Sequence, residues 1–247
     1  MNNIPISNKI PELDLAIKAA QEAGNTILKI YEKGFKTFTK TDNSPVTDAD
    51  LQSNKIIKEI LSVTKHSILS EEDVDDKNRL SNDMIWIIDP LDGTSDFIDK
   101  TGEFTVMIAL VENQKPILGV IAWPTEKTLF VAQKNCGAFR YSDNKWEKIS
   151  VTKISELPKC RTIGSRHHLS DKEKDFIEKI GIKDFTSIGS SLKVGKISSG
   201  QAEVYITTTN KMKEWDTAAS HCIISEAGGK MTDMLGNELT YNNKNVY

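Results

Sequence analysis

The sequence predicts a mixed α/β protein, two α/β layers carried on one chain with a division near residue 135. Three observations predict it. Two helical apolar repeats open the chain, a run of short apolar segments broken by turn residues follows, and beyond Gly137 helical and extended patterns alternate. With 247 residues the chain is long enough for one large domain or two closely packed lobes, with a substantial core.

Leu13, Ile17, Ala20, Ile27 and Tyr31 recur at helical spacing, and Gly34 supplies the stop. The polar stretch 40–47 contains Ser44-Pro45, whose proline forces an extended or turning backbone. A second helix follows on Leu51, Ile56, Ile57, Ile60 and Leu61, with Asp48 or Asp50 at its start, where a carboxylate can cap free amides. Met84-Ile85-Trp86-Ile87-Ile88 reads as a buried strand that stops at Asp89. Residues 105–111, 117–123 and 128–132 continue as an antiparallel meander, with turns at Asn113 and 124–127. Then come a helix near 171–180, a strand into Ser187, a helix over 191–199 closed by Gly200 and a strand over 202–206. A last helix from about Asp216 to Ala227 is stopped by Gly228-Gly229.

A net charge of -3 with no basic stripe argues against polymeric nucleic acid as a partner. The start, Met1-Asn2-Asn3-Ile4-Pro5, carries no targeting pattern, and no stretch approaches the roughly 18 apolar residues of a membrane span. A cytoplasmic, soluble protein is expected, with peripheral contact to the inner face of the cell membrane left open. Cys136, Cys160 and Cys222 are odd in number and far apart, so they read as buried or half-buried thiols rather than a disulfide or zinc framework.

The acids fall at the ends of apolar runs. Glu71 and Glu72 follow Ile68-Leu69, Asp89 and Asp92 follow Ile88, and Asp216 follows Trp215 at a helix start. Strand ends are where open α/β sheets place their ligand crevices. Several ionised carboxylates at one rim repel one another and are costly to bury, which a divalent cation relieves. Oxygen donors with no nearby His or Cys favour magnesium, manganese or calcium over zinc. In Asp89-Pro90-Leu91-Asp92-Gly93-Thr94, Pro90 fixes φ and Gly93 lets the backbone approach a ligand. If Thr94 opens a helix through Ser95, Asp96 and Phe97, its free amides face the same place and can hold phosphate oxygens. Metal beside anion-binding amides points to phosphoryl chemistry. Taken singly, each acid also reads as an ordinary turn residue, Asp50 as a helix cap, and Trp86 and Trp215 as core walls.

Trp86-Ile87-Ile88-Asp89-Pro90-Leu91-Asp92-Gly93-Thr94 and Trp215-Asp216-Thr217-Ala218-Ala219 resemble the two signature motifs of the inositol monophosphatase superfamily. Stretches 40–50, 69–73, 102–106, 115–120 and 187–193 are similar to its 3'(2'),5'-bisphosphate nucleotidase branch, so the resemblance covers nearly the whole chain. It implies an α+β or α/β fold, the layered αβαβα sandwich of the inositol monophosphatase and fructose-1,6-bisphosphatase type. Residues 1–134 would form an N-terminal α+β lobe with the metal-binding acids, and 135–247 a C-terminal α/β lobe supplying Asp216 and substrate contacts. It also implies a magnesium-dependent, lithium-sensitive phosphomonoesterase, monomer or homodimer, that splits 3'-phosphoadenosine 5'-phosphate into AMP and phosphate in nucleotide and sulfur metabolism. Two or three Mg2+ ions are implied, with Mn2+ able to replace them.

Position by position, the resemblance implies that Glu71, Asp89, Asp92, Asp216 and the Leu91 carbonyl bind metal. Glu71, Asp50 and Thr94 would position and deprotonate water, and Glu71, Leu91, Asp92, Gly93, Thr94 and Asp216 would meet the substrate. An inositol monophosphatase or sugar bisphosphatase is the alternative activity, and a non-catalytic binder of a phosphorylated metabolite the alternative class. Ser165-Arg166-His167-His168 is similar to a Ser-Arg-x-His stretch of the branch, in which Arg166 either meets a substrate anion or forms a surface ion pair. Two stretches depart from the pattern. Residues 205–214 lack the Arg, Gly and Pro that precede Trp-Asp in the branch, and the chain ends at Asn245-Val246-Tyr247 where relatives continue into a strand. Two expectations follow for this end: a last sheet without an edge strand, or a shortened natural version of the protein.

Overall fold

Both opening repeats form helices, α1 (Pro11–Lys33) and α2 (Asp48–Leu61). The structure, a computed structural model, describes residues 4–209 and 211–247. Met1 to Asn3, part of the expected leaderless start, and Asn210, inside the divergent stretch 205–214, lie outside the described residues. Between the helices, β1 (Thr37–Thr39) and β2 (Pro45–Thr47) pair antiparallel. Thr47, not Asp48 or Asp50, is the cap of α2. Its Oγ1 accepts the Ala49 N–H at 3.1 Å, and Asp50 accepts the Thr47 N–H at 2.7 Å from the third helical position, which closes a capping box.

A seven-stranded sheet follows in chain order: β3 (Ser67–Ser70), β4 (Met84–Asp92), β5 (Thr105–Glu112), β6 (Lys115–Trp123), β7 (Thr128–Gln133), β8 (Gly137–Ser142) and β9 (Lys145–Ile149). The first pair is parallel and the rest antiparallel. This meander runs two strands past the expected end at Ala132, and the position 134/135 falls in the turn between β7 and β8. No apolar run marks β9, which is largely exposed apart from Ile149. Likewise β4 runs beyond Asp89 to Asp92. Pro90 has no N–H for the ladder, and the register jumps from Asp89 opposite Met107 to Asp92 opposite Thr105. The short α3 (Thr94–Ile98) follows at once.

Alternate side chains of the sheet serve two cores. Trp86, Ile88, Val106, Ile108 and Leu110 face α1 and α2, while Ile85, Ile87, Met107, Ala109 and Val111 face the last helix. Beyond the sheet come β10 (Arg161–Ser165), α4 (Asp171–Lys179), β11 (Asp184–Ile188), α5 (Leu192–Ser198), β12 (Val204–Tyr205) and α6 (Glu214–Glu226). The three strands form a parallel sheet in the order β11-β10-β12. Leu192 and Ile197 of α5 pack on one side of it, and Ile177 of α4 packs with Cys160 and Ile182. Layers therefore stack as helix, sheet, helix, sheet, helix, the αβαβα order expected. α6 lies so close to β6 that a Cβ on Gly119 would stand 2.5 Å from the Ala219 carbonyl. After α6 the described residues add one bridge, Thr232 to Glu238, and no further strand. Cys136, Cys160 and Cys222 are free thiols. No helix of the described residues is long and apolar enough to cross a membrane.

Candidate active site

Three separate elements bring acids to one rim. Glu71 follows β3, Asp89 lies on β4, and Asp216 sits in the first turn of α6. One carboxylate oxygen from each lies within 4.8 Å of the others. Burial, then repulsion from Glu71, Asp92, Asp216 and Glu72, holds the Asp89 carboxyl well above the usual carboxylate range. Burial and the neighbouring Asp92 push Asp216 up to about 8. Side chains that resist ionisation until a countercharge arrives, with only oxygen donors, fit a hard divalent cation.

Asp92, expected as a ligand of the same set, stands outside that group. Its Oδ2 accepts from the Ser191 N–H and, at 3.3 Å, from the Thr105 hydroxyl. Thr105 and Ser191 in turn share a 2.6 Å hydroxyl contact. Burial raises the Asp92 carboxyl, against the pull of Lys193 and the Ser191 N–H. Leu91 is buried at the turn, with its N–H on Asp89 Oδ1 at 3.0 Å. Its carbonyl accepts from Thr94 Oγ1 at 3.3 Å. Gly93, φ 91°, opens α3 in the left-handed region, where a Cβ would also meet Ser190 Cβ at 3.0 Å.

Asp50 links the capping box of α2 to Thr94. Oδ2 takes the Thr47 N–H and hydroxyl at 2.7 and 2.6 Å, while Oδ1 takes the Thr94 hydroxyl at 3.0 Å. Burial raises its carboxyl even against these donors.

Cations missed in the sequence complete the site. Lys40, in the turn between β1 and β2, places Nζ 3.0 Å from Glu71 Oε1 and 2.6 Å from Glu72 Oε1. Burial still lifts Glu72 to about 7. Lys193 on α5 is 8% exposed, donates to the Ser190 carbonyl, and stands 5.4 Å over the Tyr205 ring. Burial lowers its ammonium against the pull of Asp92. Both lysines lie in stretches singled out for resemblance, 40–50 and 187–193, and that was the available signal.

Arg166 forms ion pairs in the structure. It donates to Glu103 Oε2 at 2.6 Å and lies 3.2 Å from Asp96 Oδ1. Trp86 and Trp215 are buried core walls, Trp86 donating to Thr64 at 3.0 Å.

Residues 10–247 match the family described as Inositol monophosphatase family. The 3'(2'),5'-bisphosphate nucleotidase CysQ of Shigella flexneri is 36% identical over 238 residues, 93% of this chain and 93% of its own. That of Buchnera aphidicola is 37% identical over 239 residues, 93% and 87%. The crystal structure of CysQ from Bacteroides thetaiotaomicron superposes with a TM-score of 0.83 at 35% identity, covering 95% of this chain and 93% of that one. With its fold, its motifs and its gathered acids in agreement, the chain belongs to the inositol monophosphatase family.

Proposed function

We propose that this chain is a magnesium-dependent 3'(2'),5'-bisphosphate nucleotidase that hydrolyses 3'-phosphoadenosine 5'-phosphate to AMP and phosphate. The observation that carries the reading is the meeting of Glu71, Asp89 and Asp216 beside the Thr94–Asp50 hydrogen bond. Glu71, Asp89 and Asp216 would hold the ions, with Asp92 and the Leu91 carbonyl as the remaining oxygens of the same turn. When bound, two or three magnesium ions supply Lewis acidity and countercharge to the phosphoryl group; manganese has the same preference for oxygen. The substrate class follows the CysQ relatives, which are 36% and 37% identical to this chain over 238 and 239 aligned residues.

The chain's own groups divide the remaining work. Thr94 gives its proton to Asp50 Oδ1, which leaves the threonine oxygen free to accept a proton from water. Asp50, raised by burial, is the base at the end of that relay. The Gly93 and Thr94 amides at the start of α3 would hold the phosphate oxygens. Positioning and charge dominate phosphoryl transfer, so no Ser or Cys nucleophile is required.

The test is phosphate release from 3'-phosphoadenosine 5'-phosphate, inositol 1-phosphate and fructose 1,6-bisphosphate across a magnesium titration, with and without lithium. The nucleotide is expected to be preferred, with lithium inhibiting. Preference for either sugar phosphate overturns the substrate, and metal-independent release overturns the mechanism.

A further inference from the structure

The last residues of the chain, 241–247, fold back over the start of α6 and lock it to the segment between Glu71 and Asp89. Glu214, the first residue of α6, is 5% exposed, and its carboxylate takes three donors from this tail. The Asn242 N–H reaches Oε2 at 2.7 Å, and the Asn243 N–H and Nδ2 reach Oε1 at 2.8 and 2.9 Å. The Glu214 N–H donates to the Val246 carbonyl at 2.9 Å.

Arg79, 1% exposed, grips the tail from the other side. Its Nη1 donates to Asn242 Oδ1 at 2.7 Å and its Nη2 to the Asn243 carbonyl at 2.9 Å. Asp75 takes Nε and Nη2 at 2.6 and 2.9 Å. Asn242 Nδ2 returns to the carbonyls of Arg79 and Asn82 at 3.3 and 3.2 Å.

A buried Glu and a buried Arg are a costly way to close a surface, since apolar packing of similar volume stabilises at least as well. What a fully paired polar network adds is a single fixed geometry. The geometry fixed here is that of the first turn of α6. Asp216, in that turn, already has Oδ2 held by the Lys213 N–H at 2.7 Å, so the rotation of the turn sets where its carboxylate points.

We propose that Glu214 and Asn243 are positioning residues for Asp216. By bracing the first turn of α6 they bring its carboxylate to those of Glu71 and Asp89, and so set the affinity for the divalent cation. The inference rests on the reading of those three acids as a magnesium site.

The experiment is calorimetric titration of magnesium into the full chain and into Glu214→Ala, Glu214→Gln and Asn243→Ala, with thermal unfolding of each variant. Magnesium affinity is expected to weaken about tenfold in Glu214→Ala, as for other groups that orient a metal ligand from behind. Smaller losses are expected in Glu214→Gln, which keeps one acceptor, and in Asn243→Ala, which keeps its backbone donor. At saturating magnesium, kcat should return close to the unaltered value. Should Glu214→Ala fail to fold, Asn243→Ala carries the test. Folded variants that bind magnesium as tightly as the unaltered chain, whatever their unfolding temperature, overturn the proposal. No magnesium uptake by the unaltered chain overturns the metal site itself and this inference with it.

Discussion

The candidate site has two sides built in opposite ways. On the side of β4 and α3, contacts are short in sequence: Leu91 N–H on Asp89, and Thr94 on Leu91 O. On the side of α5 and α6, they are long in sequence: Ser191 N–H on Asp92, and Asp216 beside Glu71 and Asp89. The local side supplies Asp89 and Asp92; the distant side adds Asp216 to that negative charge and also brings Lys193 and the Ser191 N–H to Asp92. A contiguous motif can thus hold an acid in place, but whether that acid is tolerable when ionised depends on chain folded back from far away.

The largest effect is expected from breaking the local side. Asp92→Asn keeps the shape of the turn and removes one charge from the proposed ion shell, a contribution of several kcal/mol or about 10³-fold in kcat. The folded state should lose little, because Ser191 and Thr105 can donate to an amide oxygen. Near-unaltered turnover in this variant would refute the place given to Asp92. Next is the proton relay. Thr94→Val is expected to lower kcat about 10²-fold with little change in KM. Asp50→Asn should cost as much in rate and also weaken the capping box of α2, lowering stability by about 1 kcal/mol. A Thr94→Val enzyme that loses KM rather than kcat would move that hydroxyl from proton transfer to binding.

How far each side could be read in advance follows the same division. The Asp89 to Thr94 turn was legible because an apolar run, Pro90 and Gly93 announce it between Met84 and Gly93. Helices α1 and α2 were legible for the same local reason. β9 was not, since its exposed residues leave no apolar run, and β10 was not, since Arg161–Ser165 buries only Thr162, Ile163 and Gly164. The cap of α2 was assigned to an aspartate by preference, whereas the hydroxyl of Thr47 does the capping and Asp50 answers from inside the helix. A lysine in a polar stretch reads as solvated, and only the folded chain brings Lys40 to Glu71 and Lys193 under the influence of Asp92. The orientation of Asp92 was out of reach for the same reason, because Thr105 and Ser191 set it.

The meeting of the two sides also predicts a pH dependence. Asp216 rises from 3.8 to about 8 and Glu72 from 4.5 to about 7, so between these values the folded metal-free chain holds protons that the unfolded chain has released. Stability is therefore greatest below about pH 4 for these two groups and falls as pH rises through their folded values. Thermal unfolding of metal-free protein should show its midpoint falling by more than about 3 °C between pH 5 and 8. Saturating magnesium should flatten that slope, because it stabilises the ionised acids. A midpoint that rises over this range without metal would show that burial does not hold these two carboxyls protonated.

The smallest effect tests the outer edge of the distant side. Arg166 is 37% exposed and joins β10 to Glu103 and Asp96. Removing it leaves neither acid stranded: Asp96 keeps the Thr101 hydroxyl at 2.9 Å and His167 at 3.3 Å, and Glu103 keeps the Gly189 N–H at 2.6 Å. Arg166→Ala should then cost no more than about 1 kcal/mol of stability, as exposed ion pairs do. Its KM for 3'-phosphoadenosine 5'-phosphate should stay within about threefold, because losing a charged hydrogen bond to substrate would cost 1.5 to 3 kcal/mol, tenfold or more. A tenfold rise in KM with unchanged kcat would place Arg166 on the substrate, and the Glu103 pair would then be the contact it leaves when substrate arrives.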